Sequence, residues 1–267
     1  MSSLDKLGVV IQYEFLKHIR RARLYIVLGI ALLAEALVLI LLPVLNHHFP
    51  DNIMAMAATL TVGPSLAALG AVFFAGDAIA GEYESKTGFL LFINPIKREV
   101  LWIGKYIASF IAITLMIIFS YVIIAVSLLL IYHQVPWQMY ESFGLALFYA
   151  AGVLSTTFLF SAISRGSMGA TIMTLLFVWI VCGILETVLS LTGKPYWFVL
   201  SAGGDSIATV YGGMDVMLSG LGGGGGMSGL ADTFKLTSVA MASWGVAIYF
   251  VGGLFGSIFL ARRRQLS

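Results

Sequence analysis

Three carboxylic acids, Glu35, Asp77 and Glu186, lie within or at the ends of long apolar runs of this chain. An acid at bilayer depth costs roughly 2.5–3.5 kcal/mol on insertion scales, so it normally faces a bundle interior or water. Such a group can relay protons, hold a cation or hydrogen-bond between helices. Glu35 falls mid-run and Glu186 nearer a run's end, which makes both candidates for lining a polar substrate pathway or holding a cationic substrate. An interhelical hydrogen bond is the structural alternative for Glu35, and a reach to the outer membrane interface is the alternative for Glu186. Asp77 belongs at a cytoplasmic mouth. His47, His48 and Asp51 form the densest group of metal-type donors. Three ligands on a short exposed loop without supporting partners do not make a metal site, so none is expected. No catalytic constellation is expected either, because all four histidines fall outside the cores of the apolar runs. Cys182 is the only cysteine, which excludes a disulfide framework. A glycine-rich phosphate loop ending in Gly-Lys-Ser/Thr is missing from the sequence, so ATP hydrolysis is not expected of this chain.

The elements that position these groups follow from composition. With 60% hydrophobic and 10% charged residues the chain lacks the polar surface to cover a water-soluble core. Its apolar runs, 24–45, 53–80, 101–132, 142–163, 168–191 and 236–261, are continuous rather than alternating, which selects membrane helices over barrel strands. A hydrocarbon core of about 30 Å needs roughly 20 helical residues, so each run spans once. The fold class expected is an all-α polytopic membrane protein with six transmembrane helices over 24–261. Pro64 should kink the second. Ala67, Ala71 and Ala75 there, and Gly252 and Gly256 in the last run, are small-residue stripes suited to close helix approach.

Six spans place both termini on one side, and the basic residues say which. Putting the termini in the cytoplasm leaves 13 of the 15 Lys and Arg residues inside, with Lys194 and Lys235 outside. The outer loops collect Asp51, Glu141, Asp205, Asp215 and Asp232. Residues 1–23 read as a cytoplasmic interfacial helix, because Leu4, Leu7, Ile11, Phe15 and Ile19 recur at helical spacing near Lys17, His18, Arg20, Arg21 and Arg23. An ordinary basic flank that merely fixes topology is the alternative. Residues 262–267 read as a basic cytoplasmic tail. The long outer loop 192–235 pairs an aromatic run, Tyr196 to Leu200, with a glycine-rich stretch. Its first half either dips back into the bilayer or anchors at the interface.

The cytoplasmic loop 81–100 carries the most information. Glu82 and Glu84 open it, Phe89, Leu90, Phe92 and Ile93 form an apolar stripe, Pro95 ends that helical segment, and Lys97 and Arg98 close it. Read this way, it is a short helix under the membrane, joined to the second and third spans, or else a well-anchored connecting loop. The run Glu82-x-Glu84-x-Lys86-Thr87-Gly88-Phe89-Leu90-Leu91-Phe92-x-Asn94-Pro95-Ile96-Lys97-Arg98-Glu99, followed by Gly104-Lys105, resembles the signature loop of ABC transporter permeases of the type-2 exporter family.

That resemblance implies a function. The loop would be a coupling helix gripped by a separate ABC ATPase subunit, with Glu82, Glu84, Pro95, Lys97 and Arg98 as the coupling residues. Two ATPase copies would work with two permease copies, most simply a homodimer, in the cell membrane. ATP and Mg would belong to the ATPase; no cofactor and no nucleic-acid partner is expected for this chain. Leu218-Ser219-Gly220 and the glycines after Leu221 are similar to the Leu-Ser-Gly-Gly signature of ABC ATPases. They lack its following Gln and lie on the wrong side for ATP. The competing class, an ion-coupled secondary transporter, would show internal repeats with matching broken helices, which this sequence lacks. The apolar interior suggests lipids, hydrophobic peptides or drugs as cargo.

Overall fold

The computed structural model of the chain describes residues 3–61, 63–84, 98–164, 166–213, 216 and 238–263. Its helices are α1 (Ser3–Arg20), α2 (Ala22–Asn46), α3 (Ile53–Leu60), α4 (Gly63–Ala75), α5 (Ala80–Glu84), α6 (Arg98–Tyr132) and α7 (Gln138–Ile163). After α7 come α8 (Ser167–Leu175), a π-helical turn (Leu176–Val181), α9 (Cys182–Leu191), α10 (Leu200–Thr209) and α11 (Val239–Arg263). No strand occurs among the described residues. Six segments are long and apolar enough to cross a membrane: Leu24–Leu45, Ile53–Glu82, Glu99–Tyr132, Gln138–Ile163, Ser167–Leu191 and Val239–Ala261. The chain is an all-α, multi-pass membrane protein.

The second span is not one helix. Pro64 cannot donate an amide, and its ring opposes the carbonyl four residues earlier, so the chain breaks rather than bends. Thr61 is extended at φ −72° and ψ 101°, and a new helix begins at Gly63. A second interruption covers residues 76–79. Broken backbone in an apolar bundle needs hydrogen-bond partners. Ser161 of α7 supplies them: its Oγ accepts the amides of Ile79 (3.1 Å) and Ala80 (3.0 Å) and donates to the Gly76 carbonyl (3.0 Å).

Packing is closest around α4, α7 and α11. Ala67, Ala71 and Ala75 are fully buried where α4 lies between α6 and α7. In α11 the expected stripe is half right: a Cβ at Gly256 would lie 2.9 Å from Leu159 Cδ1, but the close approach one turn earlier falls at Gly253 rather than Gly252. A side chain at Gly252 would meet nothing, whereas a Cβ at Gly253 would lie 2.7 Å from the Ser155 backbone. In the segment after α9, Tyr196, Val199 and Leu200 are buried in protein, and α10 packs on α7 and α11. Ser142 donates to the Ile207 carbonyl at 2.9 Å and holds α10 in register with α7. Residues 214–215 and 217–237, with most of the glycine-rich stretch, lie outside the described residues.

Gly245 shows how tight this packing is, since a Cβ there would lie 2.2 Å from the Trp197 carbonyl oxygen. Gly245→Ala should therefore cost about 1–3 kcal/mol by overpacking. Thermal unfolding in detergent checks this, and an unchanged midpoint would mean that α11 and the 196–199 segment are not in contact.

Candidate functional site

The described part of the predicted coupling region is built on α6. At 35 residues this helix is about 52 Å long, well beyond a hydrocarbon core of about 30 Å, so it tilts or extends past that core. Its first turns carry Gly104 and Lys105, and α1 packs along them. A Cβ at Gly104 would lie 2.6 Å from Val10 Cγ1, so glycine is what lets the two helices approach here.

Lys105 sits at the centre of this contact with 3% of its side chain exposed. Its Nζ lies 2.6 Å from Glu82 Oε1 on α5 and 3.0 Å from Glu14 Oε1 on α1. Lys17 meets the other Glu14 oxygen at 3.3 Å. Burial by itself would raise Glu14, yet Lys105 and Lys17 outweigh it and hold the carboxyl below its ordinary value. Thus one ammonium ties α1, the end of the second span and the start of the third. Arg21 adds a second tie, with Nη1 2.8 Å from Asp77 Oδ2 in the turn between α4 and α5.

Glu84 is exposed and anchors elsewhere. Its Oε2 accepts from the Ser167 amide (2.8 Å) and hydroxyl (2.5 Å) at the N-terminus of α8, which keeps the carboxyl below its usual range. A carboxylate suits that position because the first amides of a helix lack intrahelical partners. Of the other residues expected to serve in coupling, Pro95 and Lys97 lie outside the described residues, as does the stretch 85–97, and Arg98 begins α6.

His18 lies on the same face of α1 as Glu14, 4% exposed, edge-on to Phe74 and 3.3 Å from Ser109 Oγ through Nε2. Burial drives its pKa down to about 4. The face of α1 turned to the bundle is therefore Val10, Glu14 and His18, while Leu4, Val9 and Tyr13 are exposed. An apolar stripe read from the sequence could not reveal this. The only signal available was the pairing of Gly104-Lys105 with an acid on the amphipathic helix.

The two candidate pathway acids have different neighbours. Glu35 is 1% exposed and accepts a short hydrogen bond from Ser120 of α6. Glu186 lies beside Asp205 of α10, whose carboxyl is raised well above its usual range by burial first and then by Glu186. Among the described residues no group of three or more His, Cys, Asp or Glu is placed to hold a metal ion.

Lys105→Met should destabilise the protein by about 3–5 kcal/mol, because it takes the buried cation away from Glu82 and leaves Glu14 its contact with the half-exposed Lys17. Adding Glu14→Gln and Glu82→Gln should recover most of that loss in a thermal-stability assay. The pH dependence has a definite sign. Folding holds His18 neutral down to pH of about 4, whereas an unfolded histidine protonates near 6.5, so stability is full above 6.5 and declines toward pH 4. The loss is at most about 3 kcal/mol, and His18→Gln should flatten the slope of melting temperature between pH 7 and 5.

The family model of the ABC-2 family transporter protein matches residues 10–182. No curated protein matches the chain at a significant level. The matched stretch covers well over half of the sequence and includes the second half of α1, the first four spans, Glu82, Glu84 and Lys105. The chain belongs to the ABC-2 transporter family.

Proposed function

We propose that this ABC-2 family protein is the permease subunit of an ATP-driven exporter, converting ATP hydrolysis by a separate ATPase subunit into substrate movement across the membrane. Two ATPase copies would serve two permease copies, with both termini of each permease in the cytoplasm of the cell. The observation that carries this reading is the ion-paired junction around Lys105. The segment 85–97 emerges from α5, and α5 is tied to α1 and α6 through Lys105, to α7 through Ser161 and to α8 through Glu84. A push on that segment would thus be delivered to four helices together. Pro95, Lys97 and Arg98 would present it to the ATPase, which holds the ATP and Mg.

Spans Leu24–Leu45 and Ser167–Leu191 are the least buried of the six, which supports their facing lipid or a second copy of the chain, as a homodimer requires. Cargo of apolar character, such as lipids, hydrophobic peptides or drugs, suits the largely apolar bundle. Glu35 and Glu186 would be the polar points along its route.

The first test is isolation of the chain with its membrane: a soluble ATPase should copurify, and a complex that never contains one would overturn the reading. In that complex, reversing Lys97 and Arg98 to Glu should cut coupled transport at least about tenfold, as expected for misplaced interface charge. Glu35→Gln should lower transport and alter its pH dependence; unchanged transport would remove Glu35 from the route.

A further inference from the structure

Two cavities meet at the basic end of the bundle and share Asp77 and Ser167. One, of about 350 Å³, is polar and carries both signs of charge: Lys17 and Arg21, with Asp77, Glu82 and Glu84. The other, of about 320 Å³, lies between α4 and α8 and is lined by Val72, Phe73, Met168, Thr171 and Ile172. Met168 and Ile172 are 76% and 46% exposed on a membrane-spanning segment, so the apolar half opens sideways toward lipid. A polar chamber above a lipid-facing apolar slot has the shape of an amphiphile.

The charges narrow the ligand. Arg21 is paired with Asp77 and Lys17 with Glu14, yet the two keep 32% and 36% of their side chains exposed. Arginine carries five N–H donors, more than one carboxylate oxygen uses. Glu84 presents a carboxylate to the same chamber, fixed by Ser167. A purely anionic headgroup would meet the carboxylates, and a purely cationic one would meet Lys17 and Arg21. A headgroup with a phosphate and an amine satisfies both signs of charge. From this we propose that the cleft between α4 and α8 binds a phospholipid with a zwitterionic phosphate–amine headgroup, drawn from the leaflet at the basic end. Its phosphate lies against Lys17 and Arg21, its amine toward Glu84, and an acyl chain along Val72 and Ile172. This binding does not depend on the ATPase reading and is measurable on the chain alone.

The test uses the full-length protein in nanodiscs with three photoreactive lipids carrying the same diazirine acyl chain: phosphatidylethanolamine, phosphatidylglycerol and diacylglycerol. Crosslinked peptides are mapped by mass spectrometry. Phosphatidylethanolamine should label residues 72–73 and 168–172 about tenfold more than either other probe, the discrimination that charge-assisted hydrogen bonds supply. Lys17→Gln should lower that labelling and leave the diacylglycerol signal unchanged, and Ile172→Trp should lower all three. Equal labelling by the three probes would mean a general lipid-facing surface and overturn the proposal. Strongest labelling by phosphatidylglycerol would replace it with an anion site. No labelling of the cleft in the unaltered protein would mean that the chain itself fills the space. These outcomes rest on the unaltered protein, so a variant that fails to fold does not obscure them.

Discussion

Everything at the basic end of this bundle depends on keeping one ammonium group out of water. A buried lysine is tolerated only when carboxylates replace its hydration, and Lys105 has two of them, from helices far apart in sequence. The pairing is specific because removing Lys105 takes the shared cation away from both carboxylates at once. It also fixes geometry: Glu14 must arrive on α1 at the level where Glu82 arrives on α5. Gly104 permits the approach, and the first turns of α6 supply the surface on which it occurs.

The second span illustrates the complementary rule for backbone groups. Interrupting a helix among apolar neighbours exposes amides and carbonyls that lipid cannot satisfy. Here a single hydroxyl, Ser161, takes two amides and gives its proton to one carbonyl. The turn that holds Asp77 and leads to Glu82 and Glu84 is thereby anchored to α7. Side-chain chemistry at one residue makes a broken span structurally acceptable.

Much of this architecture was legible in the sequence. The six apolar runs coincide with the spans to within a few residues, because hydrophobic length is a coarse quantity that survives without tertiary knowledge. Pro64 announced an interruption, although its consequence was a full break. What escaped was partner choice. Nothing local in Glu14, His18 or Ser161 says which helix each will meet, since those contacts join residues 91, 85 or more positions apart in the chain for His18 with Ser109 and Ser161 with Gly76. In the last helix Gly256 of the expected stripe does face a neighbour while Gly252 does not, for the same reason: spacing indicates that small residues are present, not which face is turned inward. Glu82 and Glu84, adjacent in the motif, have divergent partners on α6 and α8.

The π-helical turn at Leu176–Val181 has a consequence for the segment beyond it. Such a turn holds one residue more than an α-helical turn, and one residue corresponds to about 100° of rotation. A helical wheel drawn from Ser167 therefore goes out of phase before it reaches Cys182. The far half of this span shows its neighbours a different set of side chains than uninterrupted winding would give, and the side on which Glu186 meets Asp205 is set by that phase shift.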